Sequence, residues 1–77
     1  MEDRVKRVMA NVFGVDIARI GADASAQTVE QWDSLRHMNL VVALEEEFRV
    51  RFTDQQIDEL LSLRLITLTL KELGAKE

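Results

Sequence analysis

Few residues in this sequence are equipped for chemistry, and one of them stands in a distinctive place. Ser34 lies within Trp32-Asp33-Ser34-Leu35, directly ahead of a strongly periodic apolar run that ends at Phe48. Asp33 is a good helix N-cap, because its short carboxylate can accept a backbone N–H from the first turn. With Asp33 as the cap, Ser34 takes the first helical position. The unpaired N–H groups and the positive end of the helix dipole favour negative charge there. A phosphate ester on the Ser34 hydroxyl would sit in a favourable field.

Other nucleophiles and ligands are scarce. The chain has no Cys, which excludes disulfides, Cys-based zinc sites and a protein thiol nucleophile. Its single histidine, His37, excludes most His-rich metal sites, and its helix-edge position reads as packing. No glycine-rich phosphate loop accompanies these residues, so no catalytic constellation emerges and an autonomous enzyme is not expected. The 14 acidic residues outweigh 10 basic ones, for a net charge of −4. Such a chain repels nucleic acid and anionic membrane and suits partners with basic patches. Arg49 and Arg51 read as surface charges rather than as a nucleic-acid site. No apolar run approaches the ~20 residues of a membrane span, and Met1-Glu2-Asp3-Arg4 lacks the apolar segment of a signal peptide. A monomer in the cytoplasm is expected.

The 77 residues allow one small domain, and a 47% hydrophobic content is enough for a core. Val5, Val8, Met9, Val12 and Phe13 mark one helical face, with Asp3 a plausible cap and Gly14 a plausible stop, which predicts a helix over about 3–13. Residues 15–32 read as a long loop pinned by Val15, Ile17 and Ile20. Within it, Thr28 and Gln31 could cap a short turn, and Trp32 reads as a packing anchor. A loop this long in so small a domain points to function. After the second helix, Arg49–Phe52 alternates and looks extended. Thr53 and Gln56 fit a capping box for a short helix over about 54–61. Ser62 and Gly74 bracket a last helix over about 63–73. A strand competes there, since Leu63, Leu65, Leu68 and Leu70 partly alternate with Thr67 and Thr69. A lone strand would find a partner only in residues 50–52, so helix is favoured.

The second helix, about 34–48, carries two apolar stripes. Leu40, Val41, Leu44 and Phe48 form one, with His37 at its edge. Leu35, Met38 and Val42 form the other, beside Ser34 and flanked by Glu45 and Glu46. One stripe suffices for the core of a small bundle. The second is either packed by the long loop or left exposed as a docking surface, and the pattern alone leaves both open.

At these residues the sequence resembles the acyl carrier protein family. The matching signature is Asp33-Ser34-Leu35 followed by Leu40-Val41-Val42-Ala43-Leu44-Glu45-Glu46-Glu47-Phe48. The resemblance covers nearly the whole chain and implies a single all-α carrier domain over 1–77: a small four-helix bundle with a long loop between helices 1 and 2 and a short third helix. It implies that Ser34 carries covalent 4′-phosphopantetheine, taken from coenzyme A by a separate phosphopantetheinyl transferase with Mg²⁺. The arm's thiol would then hold acyl or aminoacyl thioesters passing between loading enzymes and transferring or condensing enzymes of fatty acid, polyketide or related biosynthesis. Asp33 would cap the helix and help the transferase; Leu35, Met38, Val42, Glu45 and Glu46 would meet basic partner surfaces. Gln31-Trp32 stand where many members have Gly, and Arg36 and Asn39 stand where primary fatty-acid carriers tend to be acidic. These departures imply a specialised carrier. The alternative reading is an unmodified helical module that docks a protein through the second helix.

Overall fold

The computed structural model describes residues 1–76. Its first helix, α1 (Glu2–Phe13), buries Val5, Val8, Met9, Ala10 and Phe13. The expected Asp3 cap is not made. The helix begins a residue earlier, with Met1 at the cap position and no side-chain cap bond, so Asp3 acts from the first turn on the helix dipole instead. Gly14 ends the helix at φ 68 and ψ 36, left-handed backbone that glycine adopts without steric cost.

The loop that follows is tied down more closely than its sequence suggests. Asp16 accepts the Ala18 N–H at 2.9 Å and starts a 3₁₀ turn over Ile17–Arg19. That turn leaves Ile17 exposed, so of the expected pins only Ile20 is fully buried, with Val15 half-buried. Ala24 and Trp32 provide the remaining buried anchors. Mid-loop, Ser25 forms an antiparallel bridge with Ser62. The Ala26 N–H donates to the Leu61 carbonyl and the Leu63 N–H to the Ala24 carbonyl, both at 2.9 Å. The expected Thr28–Gln31 capping box does not form. Thr28 turns back to Ser25 instead: its hydroxyl oxygen accepts the Ser25 N–H at 3.0 Å and its O–H donates to the Ser25 carbonyl at 3.2 Å.

Helix α2 (Ser34–Phe48) starts at Asp33, whose Oδ1 accepts the Arg36 N–H at 2.8 Å. It ends at Arg49, a non-glycine residue in the left-handed region at φ 55. The capping box of α3 (Asp54–Glu59) is complete. The Gln56 N–H donates to Thr53 Oγ1 at 3.1 Å and the Thr53 N–H to Gln56 Oε1 at 2.9 Å. The helix stops short of the expected 61 because Leu60 leaves helical backbone, at φ −80 and ψ 60. Leu60 is thereby buried while Leu61 stays exposed. Helix α4 (Leu63–Glu72) is capped by Ser62 Oγ, which accepts the Leu65 N–H at 3.1 Å. The helical reading therefore prevails over the strand. Thr67 and Thr69 fit within it by donating their hydroxyls one turn back, to Leu63 O at 2.9 Å and Leu65 O at 2.8 Å.

The core fills the space between α1, α2 and α4, where Val5, Met9, Leu40, Leu44, Leu60, Ile66 and Leu70 are wholly sealed. Arg4 clasps the far end. Its guanidinium donates to Glu47 Oε2 at 2.9 and 3.1 Å and lies 4.5 Å from the Phe48 ring centre. The fold predicts a contrast along α2. Leu44→Ala should cost about 3 kcal/mol, as large-to-small changes in sealed cores do. Val42→Ala should stay within roughly 0.5 kcal/mol, as an exposed change does. Urea denaturation of the two variants measures the difference.

Candidate functional site

The site is built where the loop hands the chain to α2. Trp32 packs its ring on Phe13 with centroids 5.1 Å apart and is nearly buried. A buried indole N–H needs an acceptor. Trp32 Nε1–H finds His37 Nδ1 at 2.9 Å, one turn into α2. His37 Nε2 lies 2.8 Å from the Ile57 carbonyl in α3. The indole nitrogen can only donate, so Nδ1 accepts, and Nε2 carries the proton and donates to the carbonyl. The histidine read from sequence as mere packing is thus the middle of a hydrogen-bonded chain from loop to α2 to α3. The periodicity of α2 put His37 at an edge, but its second partner is twenty residues away, beyond any local signal.

Between the fixed points Trp32 and His37 the chain turns outward. Asp33, Ser34 and Leu35 are exposed, and Ser34 is the first residue of α2. The backbone N–H groups of Ser34 and Leu35 have no protein acceptor among the described residues. With the dipole behind them, they present positive character beside the Ser34 hydroxyl. A cleft of about 340 Å³ opens next to it, lined by Trp32, His37 and Met38 on one side and by Ile57, Asp58 and Leu61 on the other.

The second apolar stripe is exposed: Leu35 by 72%, Met38 by 48% and Val42 by 51%. The loop does not cover it, because its anchors take it to Phe13 and to the α3–α4 junction instead. The three consecutive glutamates that follow have three different surroundings. Glu45 is half-buried and its Oε2 accepts the Phe52 N–H at 2.9 Å, which ties down the α2–α3 connection. Glu46 is exposed beside the stripe. Glu47 holds Arg4. Among the described residues no group of three His, Asp or Glu is placed to hold a metal, and no helix is long and apolar enough to cross a membrane.

Among the described residues, four α-helices with a long first loop and a short third helix define a carrier-type bundle. Residues 3–70 match the family described as "Phosphopantetheine attachment site", and the chain belongs to that family. Its fold is similar to the solution structure of a holo acyl carrier protein from Geobacter metallireducens, with a TM-score of 0.82 and 26% identity. The match covers 95% of this chain and 84% of that one. The protein is therefore an acyl-carrier-type phosphopantetheine attachment domain, a carrier and not an enzyme. Its cofactor is 4′-phosphopantetheine, and carriers of this type meet transferases and biosynthetic enzymes. The start of α2 fits that group: an exposed hydroxyl, two unpartnered backbone N–H donors and a positive dipole end suit a phosphodiester.

The glutamates separate by experiment. Glu45→Ala should lower stability by about 1–3 kcal/mol, since it strands the Phe52 N–H. Glu46→Ala should change it by less than roughly 0.5 kcal/mol. Paired chemical-denaturation curves read both.

Proposed function

We propose that Ser34 is the attachment residue and that the chain carries acyl or aminoacyl groups as thioesters. The observation that carries this reading is a solvent-facing hydroxyl at the capped start of α2, next to unpartnered N–H groups. Ser34 Oγ attacks the phosphorus next to pantetheine in coenzyme A. The Oγ–P bond forms, the P–O bond to 3′,5′-adenosine bisphosphate breaks, and the hydroxyl proton passes to a base on the transferase. Asp33 holds the first turn in place by its bond to Arg36 N–H, so the hydroxyl is presented from a fixed helix end. The arm supplies the thiol that a chain without Cys lacks.

Leu35, Met38 and Val42 form the surface that partners touch, an apolar strip exposed beside the attachment point. Glu46 and the cleft residue Asp58 give its surroundings negative charge, which suits basic partner surfaces. Glu45 contributes charge nearby, but its carboxylate is engaged with the Phe52 N–H. Charge of this kind speeds encounter more than it tightens the complex, as a carrier that must leave each partner requires. Tethering then keeps the cargo at high effective concentration for a loading enzyme and for a transferring or condensing enzyme. Arg36 and Asn39, beside the serine, make this surface less acidic than an all-carboxylate one. That supports a specialised discrete carrier of fatty acid, polyketide or related biosynthesis, working in the cytoplasm.

Incubation with coenzyme A, Mg²⁺ and a broad-specificity phosphopantetheinyl transferase should add one arm to the wild-type chain by intact mass. Ser34→Ala should add none, although Ser25 and Ser62 remain. An arm on the Ser34→Ala chain, or none on a folded wild-type chain, would overturn the assignment. Glu46→Lys should slow arm transfer several-fold at low salt and much less at high salt; equal rates at both would remove the electrostatic part.

A further inference from the structure

The cleft beside Ser34 has a hydrogen-bonded chain in its wall. Trp32, His37 and Ile57, which form the indole–imidazole–carbonyl chain, all line it, together with the more exposed Met38 and Leu61. His37 belongs to α2 and Ile57 to α3, so the bond from Nε2–H to the carbonyl crosses the seam between these helices. No residue of helix α3 is fully buried; the partly buried Ile57 side chain, packed against the core, and the bond its carbonyl accepts from His37 seat the helix together. The core residues Leu40, Leu44 and Leu60 are fully sealed. An apolar group tethered at Ser34 is drawn toward that core by the hydrophobic effect. To enter beside Ser34 it must part α3 from α2, which strands an imidazole N–H and a carbonyl without partners.

We propose that His37 is a specificity-determining positioning residue, a latch that keeps the α2–α3 seam closed so that the cargo stays in the cleft, against Met38 and Leu61. This inference rests on Ser34 being the attachment residue. Trp32 fixes the tautomer: its N–H occupies Nδ1 and leaves the proton on Nε2, where the latch needs it. The cleft of about 340 Å³ lies at the small end of the ~300–1,000 Å³ found for small-molecule sites. It suits short acyl groups. A long alkyl chain exceeds it and finds no way inward.

The test loads the full chain from acetyl-coenzyme A or octanoyl-coenzyme A with the transferase, and intact mass confirms each form. Wild-type acetyl and octanoyl forms should melt at the same temperature, and the octanoyl methylenes should give nuclear Overhauser contacts to the Met38 and Leu61 methyls. In His37→Ala the octanoyl form should melt above the acetyl form, with contacts moving to Leu40 and Leu60. His37→Gln, whose amide N–H can still donate to the Ile57 carbonyl, should keep the wild-type pattern. Contacts from octanoyl to Leu40 or Leu60 in the wild-type chain overturn the latch, and that measurement decides even where the alanine variant does not fold. A folded His37→Ala chain with the wild-type pattern overturns it too, as does a glutamine variant that behaves like alanine. Absence of loading overturns the attachment reading and the latch together, whereas a loaded chain with core contacts overturns the latch alone.

Discussion

Burial of the Trp32 indole is the constraint on which the presentation of Ser34 depends. Closing the loop between α1 and α2 costs chain entropy, and apolar burial of Ile20, Ala24 and Trp32 offsets it. An indole brings a polar N–H into the interior with its ring, and an unpaired donor there is expensive. His37 supplies the acceptor from one turn inside α2. One hydrogen bond therefore sets the loop's last anchor relative to the helix that follows. Asp33 and Ser34 have nowhere to go but outward, between two fixed points, and the Asp33 cap turns that short exposed segment into the first turn of a helix.

Helix α2 then has to satisfy two opposite demands. Its inner face, Leu40, Val41, Leu44 and Phe48, supplies much of the core. Its outer face keeps Leu35, Met38 and Val42 in water. A contiguous exposed apolar strip on a small domain is a liability unless something uses it, and the proposed docking of partners beside Ser34 is the use its position fits. The glutamate run shows how closely structure and surface are interleaved here. Neighbouring carboxylates hold the α2–α3 connection, face solvent and clasp Arg4 in turn. A run of acids that looks like a uniform solvated face is divided by helix geometry into separate jobs.

What was legible in the sequence was local. Asp33, Thr53 and Ser62 each accept an N–H three residues on, and Gly14 takes the left-handed backbone that other residues adopt only at a cost; such signals need no knowledge of the rest of the chain. The two stripes of α2 were legible for the same reason, since periodicity is a property of one helix. Whether the loop covered the second stripe or left it in water was not, because that depends on where the loop goes. The loop's course is set by Phe13 and by the bridge from Ser25 to Ser62, both remote in sequence from the stripe. Asp3 and Ile17 failed as cap and anchor for related reasons: a start one residue earlier and a turn nucleated by Asp16 reassign their surroundings. The role of His37 was hidden because half of it is a carbonyl in α3.

The contrast between α3 and the other helices bears on how a carrier can be both stable and adaptable. A helix of six residues, Asp54–Glu59, is far too short to persist on its own. Besides its own capping box, it is held by Phe52 and Leu60 buried on either side of it, by Ile57 packed on the core, by Glu45 at its approach and by His37 at its middle. Two of these attachments, from Glu45 and from His37, are single polar bonds rather than interdigitated side chains. Segments held in this way open at lower free energy than a packed core. The domain thus places its least committed element against the cleft beside Ser34, while α1, α2 and α4 keep the sealed core. The bond from His37 to the Ile57 carbonyl is the polar contact that holds this short helix against α2 beside the cleft, while Leu40, Leu44 and Ile66 stay sealed in the core.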